Sequence, residues 1–168
     1  MAGIECFVPS MSGEGISVTV ESFSRSSAFT GVTILSGVSL RETESLRSIA
    51  EAVSAKYILI YTKTLPLEMG MAALDRIISI AEDTKADMLY ADHWQLTADA
   101  DGVQQRRRHP LIDCQMGALR DDFDFGSVLV FRRSSFRKAV RAMETEYKYA
   151  ALYDLRLRMK NIVHINEY

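Results

Sequence analysis

The chain is poor in the features that mark several protein classes. Its 168 residues include two cysteines, Cys6 and Cys114, which lie far apart and match no metal-ligand spacing. A reduced, cytoplasmic protein with two buried thiols is expected. No apolar run approaches the roughly 20 residues of a membrane span. The first residues lack the basic start and long apolar stretch of a secretion signal. Charge of one sign is also missing. Lys and Arg number 20 against 22 Asp and Glu, a net charge of -2, so no whole-molecule field favours nucleic acid. No repeat or low-complexity segment occurs. What remains is 48% hydrophobic and 25% charged, enough for one domain with a proper core.

Patterning gives the element order. Residues 4–8 are a short apolar strand that stops at Pro9, and 10–15 read as a small polar loop. Residues 16–23 fit either strand or helix; the strand–helix–strand order favours helix. Residues 32–35 form a second strand. Leu46, Ile49, Ala50 and Val53 give helical spacing within 40–53. Residues 57–61 are a nearly all-apolar strand, as in a sheet covered on both faces. The next helix is expected over 66–84, with Pro66 in its first turn and Met71, Leu74, Ile77, Ile78 and Ala81 on one apolar face. A strand at 86–90 follows, then a hairpin over 95–108 turning at 99–102. After a long connection at 109–125 come a strand at 127–131, helices at 134–143 and 150–159, and a strand at 162–165. This order predicts a three-layer α/β/α domain on a mixed, mostly parallel sheet.

The stretch Lys56-Tyr57-Ile58-Leu59-Ile60-Tyr61-Thr62-Lys63-Thr64-Leu65-Pro66 carries the most information. In an open α/β sheet, ligands sit outside the carboxyl ends of strands. The turn 61–64 is therefore where chemistry is expected.

Four segments together resemble a family 2 glycosyltransferase with the nucleotide-diphospho-sugar transferase (GT-A) fold. They are the strand 57–61 with its Pro66, the strand 86–92, Phe125-Gly126-Ser127-Val128-Leu129-Val130-Phe131-Arg132-Arg133, and Leu152-Tyr153-Asp154-Leu155-Arg156-Leu157-Arg158. The resemblance implies a Rossmann-like fold that takes a sugar from a nucleotide-diphosphate donor to a glycan acceptor. It implies nucleotide-sugar contacts near Ser10, Ser36, Lys63, Asp92 and Trp94. It also implies that the chain is the N-terminal part of a longer, bacterial-type polypeptide with a downstream domain. Neither nucleic acid nor a membrane span is implied.

The departures fall on acidic positions. The base-contacting Asp of the family corresponds to Ser36-Gly37. Its metal-holding D-x-D corresponds to about Tyr61-Thr62-Lys63, and its Glu-Asp pair to Ala151 and Leu152. Asp154 matches only a later Asp of that motif. The Mn2+ or Mg2+ of the family thus lacks its usual ligands here. Proton abstraction needs a carboxylate near the acceptor hydroxyl, and the leaving diphosphate needs positive charge. Lys63 either supplies that charge as a point donor or is an exposed residue leading into a helix. The rival reading is a catalytically degenerate module that binds a glycan or a partner domain.

Other groups carry two readings each. Asp121, Asp122 and Asp124 form a carboxylate cluster that either binds a cation or receives an acceptor proton, or is a solvated loop with N-capping aspartates and core phenylalanines. Asp124-Phe125-Gly126 matches a kinase tripeptide, but no glycine-rich loop or His-Arg-Asp segment accompanies it. Trp94 either stacks on a sugar or is a core residue at the start of the hairpin. Arg106, Arg107 and Arg108 either attract phosphates and anionic glycans or guard a strand edge. His164 reads as a satisfied core histidine. A nucleotide-sugar synthetase would carry a basic glycine-rich loop after the first strand, and residues 10–15 have no basic residue.

Overall fold

The computed structural model describes residues 2–98, 101, 103–115, 117 and 123–168. In chain order the elements are β1 (Ile4–Pro9), α1 (Gly13–Ser24), β2 (Phe29–Leu35), α2 (Thr43–Ala52), β3 (Tyr57–Tyr61), α3 (Ala73–Thr84), β4 (Met88–Ala91), β5 (His93–Ala98), β6 (Gln104–His109), β7 (Val128–Arg132), α4 (Arg133–Arg141), α5 (Ala151–Leu157) and β8 (Ile162–Ile165). Six strands form one sheet in the order β2-β1-β3-β7-β4-β8. All pairs are parallel except those of β7, which runs antiparallel to both β3 and β4. The fold is the expected α/β class with a mixed, mostly parallel sheet.

Side-chain alternation along β3 explains the layers. Ile58 and Ile60 face one core with residues of α2, α4 and α5, while Tyr57, Leu59 and Tyr61 face the other with α1 and α3. All five are buried, so the strand reads as a continuous apolar run. Each such side chain contributes about 2 kcal/mol by leaving water. Cys6 lies in the second core, and burial, with the Glu5 carboxylate adding to it, pushes its thiol up to about 12. Cys114 is only half-buried, so the expectation of two buried thiols holds for Cys6 alone. Among the described residues no helix is long and apolar enough to cross a membrane.

Of the element boundaries that differ from expectation, two bear on how the C-terminal edge of the sheet is built. Residues 13–15 belong to α1 rather than a loop, because the Ser12 hydroxyl accepts the Gly15 N–H and caps the helix. Helix α3 begins at Ala73, not at Pro66. Pro66 and Leu67 instead pack along α1, from Gly15 to Ser22. The Leu67 N–H donates to Thr19 Oγ1, and the Leu67 carbonyl accepts the Ser22 hydroxyl. Side-chain partners on α1 thus replace the helical ladder. Met71, expected on the apolar face, is 87% exposed, whereas Leu74, Ile77, Ile78 and Ala81 are buried. Strands β5 and β6 pair from His93↔His109 to Ala98↔Gln104. Of their expected turn, residues 99, 100 and 102 lie outside the described residues.

Candidate functional site

The chain leaves β1 for β2 on one side, then returns past β1 to β3 on the other. Strand order therefore reverses between β1 and β3, and the crevice beyond their C-terminal ends is the topological switch point. Ser10 stands there exposed, with its N–H donating to the Leu35 carbonyl at 3.3 Å. Ser36 precedes Gly37, whose φ of 68° turns the chain back after β2. After β3, Thr62 donates both its N–H (2.9 Å) and its hydroxyl (3.2 Å) to the Ser127 carbonyl. Lys63 is exposed, and among the described residues it forms no ion pair. It does not lead into a helix, since nine residues lie between it and α3.

The chemistry of this turn does not suit a hard cation. Thr62, Lys63 and Thr64 offer hydroxyls and an ammonium group, not carboxylates. Among the described residues no group of three or more His, Cys, Asp or Glu is placed to hold a metal ion. The manganese or magnesium implied by the resemblance does not fit these donors.

Beyond β4 lies a second group of side chains. Asp92, expected near the ligand, is buried and already engaged. Its Oδ1 accepts the Leu111 N–H and faces His164 Nε2, both at 2.8 Å. The other His164 ring nitrogen meets Asp113 at 2.8 Å, and the ring stacks on Tyr90 at 4.8 Å. His164 is thus a satisfied buried histidine. With Asp92 it holds residues 111–113 in place. Tyr90 donates its hydroxyl to the Ile112 carbonyl, completing the hold.

Asp124 is the candidate carboxylate that remains open. Its Oδ2 lies 2.8 Å from His109 Nε2, and its Oδ1 accepts the Gly126 N–H at 2.7 Å. Burial alone raises its pKa, but these bonds outweigh it and hold the carboxyl below the usual range. His93 lies against His109, ring centroids 4.6 Å apart, and burial, helped by that neighbour, lowers its pKa. Arg156 stacks on Phe125 at 5.1 Å. Among the described residues its Nε is buried without a partner, and burial pulls the guanidinium down to about 10 against the attraction of Asp124. The Thr62–Ser127 contact brings this segment against the turn that carries Lys63.

The other candidates separate from the site. Asp154 is paired with Arg158 at 2.7 Å on its own helix. Leu152 and Ala151 pack on or within the core. Asp121 and Asp122 lie outside the described residues. Trp94 starts the hairpin but stands at its surface, 36% exposed, rather than in the core. A shallow depression of about 620 Å³, lined by Lys56, Asp75 and Glu82 among others, opens at the opposite, N-terminal edge of the sheet. The His93–His109 pair was missed in the sequence because the hairpin was expected to begin two residues late. Arg156 sat unremarked within a family-like motif.

No family model matches the sequence, and no curated protein matches it. Solved structures do. S. aureus TarS 1-349 superposes with a TM-score of 0.64 at 9% identity, over 99% of this chain and 58% of that one. The TarS structure in complex with UDP-GlcNAc gives 0.65 at 9%, over 99% and 56%. CMP:2-keto-3-deoxy-manno-octonic acid synthetase, complexed with CTP, gives 0.54 at 8%, over 99% and 91%. The chain therefore spans less than two thirds of the TarS chain. Identities this low speak to architecture alone, and the architecture they show is the GT-A-like, nucleotide-diphospho-sugar transferase fold.

Proposed function

We propose that this chain is a nucleotide-sugar-binding domain of the family 2 glycosyltransferase type, in which Lys63 meets the diphosphate in place of a divalent cation. The observation that carries this reading is the switch point itself. An unpaired ammonium stands on the turn where ligands of this architecture are bound, and that turn is tied through Ser127 to the Asp124 segment. Ser10 and Ser36 supply small polar neighbours for the nucleotide. The UDP-GlcNAc of the TarS complex and the CTP of the synthetase complex give the ligand class to try first. In a transfer reaction Asp124 would take the acceptor proton. Its side chain is 57% exposed and oriented by His109, and because its pKa is held down it would act as a weaker base than an ordinary carboxylate.

The rival is a binding module without turnover, and Leu152 favours it. A leucine packed on the core stands where the resemblance calls for a carboxylate, and it takes no proton.

Calorimetry with UDP and UDP-GlcNAc, with EDTA or with magnesium, tests the reading. Binding should be indifferent to EDTA and fall about tenfold in Lys63→Ala, as for loss of one charge-assisted bond. Absence of binding, or binding that needs the cation, overturns it. A transfer and hydrolysis screen then separates the two forms. Turnover lost in Asp124→Asn makes the domain an enzyme; binding without turnover makes it a module.

A further inference from the structure

We propose that one face of the β5–β6 hairpin is a binding surface for an acidic saccharide chain, the sugar polymer that a domain of this type would use as acceptor. The identification of that polymer as acceptor rests on the function proposed above; the surface itself rests on the hairpin.

The register sets the face. Trp94 pairs with Arg108 and Leu96 with Arg106, so these four side chains project from the same side of the ribbon. Arg107 projects from the other side, paired with Gln95. Both guanidinium groups lie 5.2 Å from the Trp94 ring centroid. Arg108 also lies 5.3 Å from the Tyr168 ring, which is itself 5.3 Å from Trp94. The result is a stack of alternating rings and cations standing in solvent. Leu96 beside it is 57% exposed. Among the described residues no carboxylate pairs with Arg106 or Arg108.

This chemistry selects a ligand with both an apolar face and an oxyanion. Each guanidinium lies against an aromatic ring, and an arginine fork can grip a carboxylate through two bonds. Leu96 and the part of Trp94 left exposed beside the two guanidinium groups offer the apolar area against which the C–H face of a pyranose ring can lie. The patch is small and the chain carries a net charge of -2, which argues against a long nucleic acid. Its place matters too. Strand β5 continues directly from β4 past the C-terminal edge of the sheet, so a polymer lying along the hairpin is led toward the edge that carries Asp124 and Lys63.

Trp94 is the chain's single tryptophan, so its fluorescence reports on the surface without a label. An oligogalacturonate should change the emission saturably, and a neutral malto-oligosaccharide should not. The double variant Arg106→Gln/Arg108→Gln should lose at least about tenfold in affinity. Arg107→Gln, a single substitution of the same kind on the other face, should retain it. Lys63→Ala should bind the oligogalacturonate unchanged, so this surface and the nucleotide site can fail independently. The proposal is overturned by the absence of a saturable change, by an equal loss in Arg107→Gln, or by equal binding of single-stranded oligo(dT). Binding of inorganic polyphosphate but not of the uronate would also overturn it.

Discussion

At the scale of single residues, Gly126 shows how the active edge is held. Its φ of 72° is a conformation side-chain-bearing residues rarely adopt. A Cβ there would also stand 3.0 Å from Leu111 Cδ1 and 3.6 Å from the Ala91 carbonyl oxygen. Gly37 has nearly the same φ but open space around it. Gly126→Ala should therefore lower the unfolding free energy by about 1–2 kcal/mol from backbone strain, plus the displacement of Leu111. Gly37→Ala should show the strain alone. Urea denaturation of the two variants measures the difference, and equal losses would mean that Leu111 moves aside freely. The Phe125-Gly126-Ser127 stretch was recognisable in the sequence as a family-like segment. Its link to His109 was not, because that contact joins residues 15 positions apart through a hairpin and a long connection.

At the scale of elements, Asp87 is a joint between β4, α4 and β8. It accepts the Ser135 hydroxyl and the N–H groups of Lys160 and Asn161, at 3.1 and 3.0 Å for the last two. Burial, the largest single influence, raises its pKa, but the bonds to Ser135, Asn161 and Lys160 prevail and the net displacement is downward. A carboxyl lowered in the folded state adds stability above its unfolded value of about 3.9 and loses it as pH falls through the folded value. Asp87→Asn should thus cost about 1–3 kcal/mol at pH 7, and the gap from the parent protein should close below about pH 4. Thermal unfolding across that range is the measurement; a gap independent of pH would show that the ionised form contributes nothing. Strand β3 and helices α2 and α4 were legible in the sequence because apolar period and burial coincide there. Helix α3 was read seven residues too long. Pro66 and the apolar residues around it fit a helix in isolation, and only the hydroxyls of Thr19 and Ser22, far away in the chain, pull Leu67 into an extended path. The acidic vacancies at 61–64 and 151–152 were equally plain, because they concern residue type rather than placement.

For the molecule as a whole, protection should follow the sheet. The centre, β3-β7-β4, is covered on both faces, whereas β5 and β6 pair only with each other and are almost wholly exposed. A lone two-stranded ribbon is marginal in water. Amide hydrogen exchange should therefore be slowest in β3 and β7 and fastest in the hairpin, which contacts such as the Trp94 stack and the His109–Asp124 pair hold closed. Uniform exchange across both sheets would contradict this. The antiparallel position of β7 has one more consequence, which appears during synthesis. The strand that joins the two halves of the sheet is residues 128–132 of the chain. A nascent polypeptide that has already emitted β1 to β4 carries two unpaired inner edges, β3 and β4, with nothing yet to place between them. Such edges invite pairing with other chains. The gap between them closes only once Val128–Arg132 has been added, so mispairing of these edges should be most favoured in the interval between synthesis of β4 and of β7.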